Sequence, residues 1–102
     1  MAIYRRSGIN PVEERKIRQL AHEFDTLQRV RHKLLLNLLE EMRQFELQTD
    51  PDAKAVLAKQ DEINKLSDLM ATERVKLILA IRDIMSFEEK QILVDTLQKE
   101  RR

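Results

Sequence analysis

Between Pro11 and Pro51 the chain contains neither glycine nor proline, and it contains neither again from Asp52 to its last residue. Such a chain has almost no place to turn, because these two residues are the strongest local breakers of regular structure. The remaining positions are filled largely by Leu, Glu, Lys, Arg, Gln and Ala, which all favour helix. Long helices follow, and the fold class is all-α. A length of 102 residues predicts one domain over 1–102 with a modest core.

Three start signals divide the chain. Asn10-Pro11-Val12-Glu13 supplies a cap, a proline suited to the first helical position and a glutamate that closes a capping box. A helix is expected over 10–48, spanning roughly 55 Å, with residues 1–9 as a flexible N-terminal arm. The second start is Asp50-Pro51, where Thr49 or Asp50 caps and a helix runs over 51–85. A connection of about two to four residues makes the two helices antiparallel neighbours. Ser86-Phe87-Glu88-Glu89 repeats the capping-box pattern and predicts a short helix over 87–99. The expected architecture is therefore a long antiparallel helical hairpin with a short C-terminal helix.

The apolar spacing supports the hairpin. Ile17, Phe24, Leu38 and Phe45 lie at multiples of seven, with Leu20, Leu27 and Leu34 between them. Ile63, Met70, Leu77 and Ile84 repeat the seam, supported by Leu66 and Ile81. Arg31, Glu41 and Glu73 interrupt these seams with charge, which places them at an opening, at an edge or in pairs across it. Leu35, Leu36, Leu39 and Met42, with Ile78, Leu79 and Met85, widen the stripe beyond what one partner helix covers. The C-terminal helix, through Phe87, Leu93, Val94 and Leu97, covers part of it, and a homodimer is expected to cover the rest.

Several function classes are excluded by content. Basic and acidic residues number 19 and 18, giving a formal net charge of +1, and the two signs are interspersed. With no Trp and 4% aromatic residues there is neither an electrostatic footprint nor a stacking platform for nucleic acid. No catalytic residue is assigned, since there is no cysteine, no glycine-rich turn and no nucleophile signature. The paired glutamates Glu13-Glu14, Glu40-Glu41 and Glu88-Glu89 have basic neighbours, and two of the pairs suit helix first turns. An all-helical mutase binding a dicarboxylate through Arg29, Arg31, Lys33 and Arg43 finds no specific match in their spacing. His22 and His32 stand about 15 Å apart on one straight helix, so no metal ligands and no cofactor are assigned within one chain. No apolar stretch approaches the ~20 residues that span a bilayer, so membrane insertion is not expected. Arg5-Arg6 lacks the apolar segment that an export signal would place after it.

What remains is binding. Arg29-Val30-Arg31-His32-Lys33 is the most basic stretch, and it adjoins a Leu- and Met-rich run. A mixed basic and apolar surface holds flexible, partly acidic chains through many weak contacts. Arg29, Arg31, Lys33, Leu35, Leu39 and Met42 are the candidate client or partner surface.

Ile9-Asn10-Pro11-Val12-Glu13 and Met85-Ser86-Phe87-Glu88-Glu89 resemble two degraded copies of one motif, Leu-Thr-x-x-Gln. It marks the Spy/CpxP family of bacterial periplasmic proteins, which is related to the ZraP and CnrX type of metal-responsive proteins. The run Ile84-Met85-Ser86-Phe87-Glu88-Glu89-Lys90 is the better copy, similar to the family's Ile-Leu-Thr-Pro-Glu-Gln-Lys. Asn10 and Ser86 stand where the family has Thr, and Glu13 and Glu89 where it has Gln; both substitutions preserve the capping chemistry. The resemblance covers about Ile9 to Gln98 and implies a hairpin dimerising into a curved cradle. It also implies an ATP-independent chaperone or envelope stress adaptor, holding protein clients or a sensor partner. The alternatives are a metal-responsive sensory domain of the metal-resistance branch and a helical scaffold docking one partner. The family's histidine before the second motif is replaced here by Lys76, Leu77, Ile78 and Leu79, so no metal residues carry over. A periplasmic location is implied, and an intracellular relative stays open because this sequence shows neither signal nor anchor.

Overall fold

The structure, a computed structural model, describes residues 2–100. Among these the chain forms four helices and no strand: α1 (Ala2–Arg6), α2 (Pro11–Glu46), α3 (Ala53–Ile84) and α4 (Phe87–Glu100). The sequence explains two of the four helix starts directly. At α2 the Asn10 backbone N–H donates to Glu13 Oε1 at 3.0 Å, and the Glu13 N–H donates to Asn10 Oδ1 at 2.8 Å. At α4 the Ser86 N–H donates to Glu89 Oε1 at 2.8 Å, and the Glu89 N–H donates to Ser86 Oγ at 3.2 Å. Each box satisfies two backbone donors that the helix start would leave without partners. The break before α4 is therefore real, and α3 ends at Ile84 rather than running on.

The start of α3 differs from expectation. Asp52 caps it, accepting the Lys54 N–H on Oδ1 at 3.1 Å and the Val56 N–H on its carbonyl at 3.0 Å. Thr49, Asp50 and Pro51 belong to the connection Leu47–Asp52, not to the helix. Aspartates flank Pro51 on both sides, and the cap that forms is the one beyond the ring. At the end of α2 the Gln48 N–H reaches Phe45 O at 3.1 Å, a tightened last turn that lengthens the loop further.

The chain packs as two compact units, where the reading from sequence expects a single core. One unit joins the described residues up to Phe24 with those from Val75 onward, and the other is Asp25–Arg74. The first is built on Ile17, Ile81, Met85 and Leu93, with Ile3, Tyr4, Ile9, Leu20, Leu77 and Ile84 packed around them. The second is built on Leu38, Met42 and Ile63, with Leu35, Val56 and Leu66 against them. Burial of such side chains contributes about 1.5–3 kcal/mol each, so the second core is thin.

Residues 2–6, expected within a flexible arm, form α1 instead and pack on α4. Ile3 and Tyr4 join the first core, Arg6 pairs with Glu100, and Ser7 is fully buried with its hydroxyl donating to Ile3 O at 3.1 Å. Gly8, at φ 85°, stops the helix in the left-handed conformation that glycine adopts without penalty. So short a helix has no periodicity to read; its order comes from the core it covers.

Within Asp25–Arg74 the hairpin is antiparallel, because contacts that rise along α2 fall along α3. Gln28 Nε2 donates to Met70 O at 3.3 Å, Leu38 and Met42 share a core with Ile63, and Glu41 pairs with Lys59. The seam on α2 runs through Gln28, Arg31, Leu35, Leu38, Met42 and Phe45, all buried or half-buried. Leu27 and Leu34, expected in the seam, lie beside it and are half exposed. The facing track on α3 is Val56, Lys59, Ile63, Leu66, Met70 and Glu73. Both tracks keep alternating steps of three and four, the signature of coiled-coil packing.

Candidate functional site

A two-helix seam covers one stripe of each helix and leaves its flanks in solvent. On α2 the flank toward one side carries Leu27, Val30 and Leu34, all exposed, with Val30 at 66%. Their steps of three and four make one continuous line along the helix. In an antiparallel pair of this register, Leu69 of α3 falls on the same side and is also exposed. The opposite flank of α2 carries Arg29, His32, Leu36, Leu39 and Arg43, again at steps of three and four and again exposed. Asp25 precedes them, and its carboxylate holds Arg29 at 2.9 Å. One flank is therefore apolar, and the other sets Leu36 and Leu39 between Arg29 and Arg43.

The six residues predicted for a client surface divide across this pattern. Arg29 and Leu39 lie on the basic flank, and Lys33 points outward between the flanks. Arg31 is half-buried in the seam. Leu35 packs against the second core, and Met42, at 9% exposure, is part of it. Leu35 and Met42 are thus corrected from surface to core. The reason is the step pattern: from Arg31 the buried track moves to 35, 38 and 42, while 34, 36 and 39 lie to either side. Leu27, Val30, Leu34 and Leu36 are the surface residues that the prediction left out, and the same pattern identifies them.

The seam carries polar groups at its middle and at its loop end. Gln28 Oε1 is buried without a hydrogen-bond partner, while its amide is spent on Met70 O. Lys59, with a side chain only 18% exposed, is held between Glu41 and Glu62. The Glu41 carboxylate, with help from Glu62, holds the Lys59 ammonium above its ordinary pKa against the opposing effect of desolvation. Glu41, placed on the seam from sequence, spans the hairpin here rather than opening it.

In the first unit the five motif residues occupy the two capping boxes described above. Asn10, Glu13, Ser86 and Glu89 make the reciprocal bonds, and Pro11 holds the first position of α2. The Glu89 carboxyl lies below its usual range chiefly because the Ser86 backbone N–H stabilises its charged form. Glu14, on the next position of α2, is gripped by Arg5 at 2.8 Å and Arg18 at 2.9 Å. The Arg5 guanidinium is the main reason that Glu14 also lies low. These carboxylates serve caps and ion pairs.

Among the described residues no group of three or more His, Cys, Asp or Glu side chains is arranged to hold a metal ion. No helix among them is long and apolar enough to cross a membrane. His22 and His32 are both exposed on α2. Comparison of the chain with protein-family models, with curated proteins and with solved structures finds no match.

Proposed function

We propose that this chain is a protein-binding helical hairpin of the Spy/CpxP kind, an ATP-independent chaperone or envelope stress-sensing adaptor. The observation that carries the reading is the pair of flanks on α2. Leu27, Val30 and Leu34 on one side, and Arg29, Leu36, Leu39 and Arg43 on the other, offer apolar contact beside positive charge. Unfolded segments present the complementary mixture, and many weak contacts of this type bind without demanding one sequence. Neither flank needs to rearrange to be available. The two capping boxes support the family resemblance, since each keeps the chemistry of the Thr-x-x-Gln unit at its place in the chain. A periplasmic location accompanies that resemblance. A second copy of the chain covering part of the exposed apolar surface belongs to the same proposal.

The test is aggregation of chemically unfolded model clients, followed by light scattering at rising ratios of this protein. Suppression near stoichiometric amounts, lost in Leu27→Ser with Leu34→Ser, is the expected outcome. Both leucines are half exposed, so the double variant keeps its helix content. Absence of suppression by the wild type, or equal suppression by the variant, sinks the reading.

A further inference from the structure

A helix of 5 residues does not hold its form in water by itself, so α1 owes its order to what it lies on. Its own hydrogen bonds do not tie it down. The Ser7 N–H donates to Tyr4 O at 3.0 Å, the Gly8 N–H to Arg5 O at 3.1 Å and the Ser7 hydroxyl to Ile3 O at 3.1 Å. These bonds stay within the segment and travel with it. What joins α1 to the rest is the burial of Ile3, Tyr4 and Ser7, together with two ion pairs.

The ion pairs show where α1 sits. Its neighbouring arginines reach different helices: Arg5 holds Glu14 of α2 at 2.8 Å, and Arg6 pairs with Glu100 of α4. The segment therefore lies across a groove between the start of α2 and the end of α4, over the core of Ile17, Ile81, Met85 and Leu93. Both arginine side chains are more than half exposed, so salt weakens their hold. Gly8 turns the chain out of α1 at φ 85°, and nothing lies within 4 Å of where its Cβ would stand. The turn has room to swing.

We propose that this groove is a docking site for a short basic amphipathic segment, an apolar pair followed by two arginines, and that α1 is its resident occupant, a strap that opens about Gly8. The specificity follows from the occupant itself. Lifting α1 leaves an apolar floor that seats Ile3 and Tyr4, bordered by the carboxylates of Glu14 and Glu100. A segment without cations leaves Glu14 held by Arg18 alone and strips Glu100 of Arg6, and an acidic segment is repelled. A segment from another protein competes with α1 for the same contacts, so the fraction of open chains sets its apparent affinity. The groove belongs to the first unit and the flanks of α2 described above to the other, so neither reading depends on the other.

Two measurements on the full chain test this. In the wild type, the Ser7 and Gly8 amides are expected to be less protected from hydrogen exchange than those of Ile17 and Ile81. Their exchange should accelerate in roughly 1 M salt, where the Debye length falls to about 3 Å, while the core amides hold. For the second, a fluorescein-labelled peptide of residues 2–9 is titrated into the wild type and into Ile3→Ser with Tyr4→Ser, which frees the groove of its strap. The double variant is expected to bind the peptide saturably and about tenfold or more tighter than the wild type. A control peptide carrying Arg5→Glu and Arg6→Glu should not bind. Protection of Ser7 and Gly8 equal to that of Ile17 and Ile81, or a double variant that loses its helix content, makes α1 an integral part of the core and overturns the strap. No gain in peptide affinity, or equal binding of the control, overturns the docking site.

Discussion

Truncating Met42 and Leu39 to alanine, one at a time, separates the buried seam of α2 from its exposed flank. The two residues are three apart and both apolar, but Met42 belongs to the core with Leu38 and Ile63 whereas Leu39 is 46% exposed. Removing a buried Met side chain costs about 2–5 kcal/mol, the lower end applying where neighbours collapse into the space. Here the core is thin and bounded by only two helices, so collapse is easy and about 2 kcal/mol is the appropriate figure. In a domain of this size that corresponds to a fall of roughly 8–16 °C in melting temperature. Leu39→Ala removes side-chain atoms that are already half in water and gains a little helix propensity, so its cost is about 0.5 kcal/mol or less. Thermal and urea unfolding followed by circular dichroism at 222 nm measures both. Equal losses for the two variants, or a larger loss for Leu39→Ala, would refute the seam assignment and return Met42 to the surface.

Other perturbations probe the caps, the polar seam and the charges. Ser86→Ala should cost about 1 kcal/mol by removing the acceptor for the Glu89 N–H, seen as a lower melting temperature; no change would mean that α4 starts without its cap. Gln28→Leu should stabilise the hairpin by about 1 kcal/mol, because it replaces a buried carbonyl oxygen lacking a partner with apolar contact; a urea midpoint lower than wild type would contradict this. Glu14 has a depressed folded-state pKa, so its contribution is complete above the ordinary carboxylate pKa and disappears as pH falls through the folded value. Glu14→Gln should therefore flatten part of the acid limb of the stability profile between about pH 5 and pH 2, and 1 M salt should shrink the difference. An acid limb identical to wild type at low salt would remove Glu14 from the account.

What the sequence makes legible depends on how local the determining physics is. The starts of α2 and α4 are readable because a capping box is complete within four residues, and both appear where Asn10 and Ser86 place them. The start of α3 is harder, since Asp50 and Asp52 are chemically equal candidates around Pro51 and only the observed bond to Lys54 separates them. α1 is invisible in sequence because Ile3 and Tyr4 gain their order from a core assembled by residues far along the chain. The binding surface is half legible. Leucines at 34, 35, 36, 38 and 39 fill more than half of the circumference of α2, so apolar content alone cannot say which face is covered. The seam is decided by the partner helix, and it runs through Gln28 and Arg31, two residues that a search for apolar positions passes over.

The most direct test of the binding surface is methyl NMR of leucine-labelled protein titrated with an unfolded client polypeptide. The account predicts that methyl resonances of Leu27, Leu34, Leu36 and Leu39 shift or broaden on addition of client, while those of Leu35 and Leu38 stay in place. Changes concentrated on Leu35 and Leu38, or no change at any leucine of α2, would contradict it.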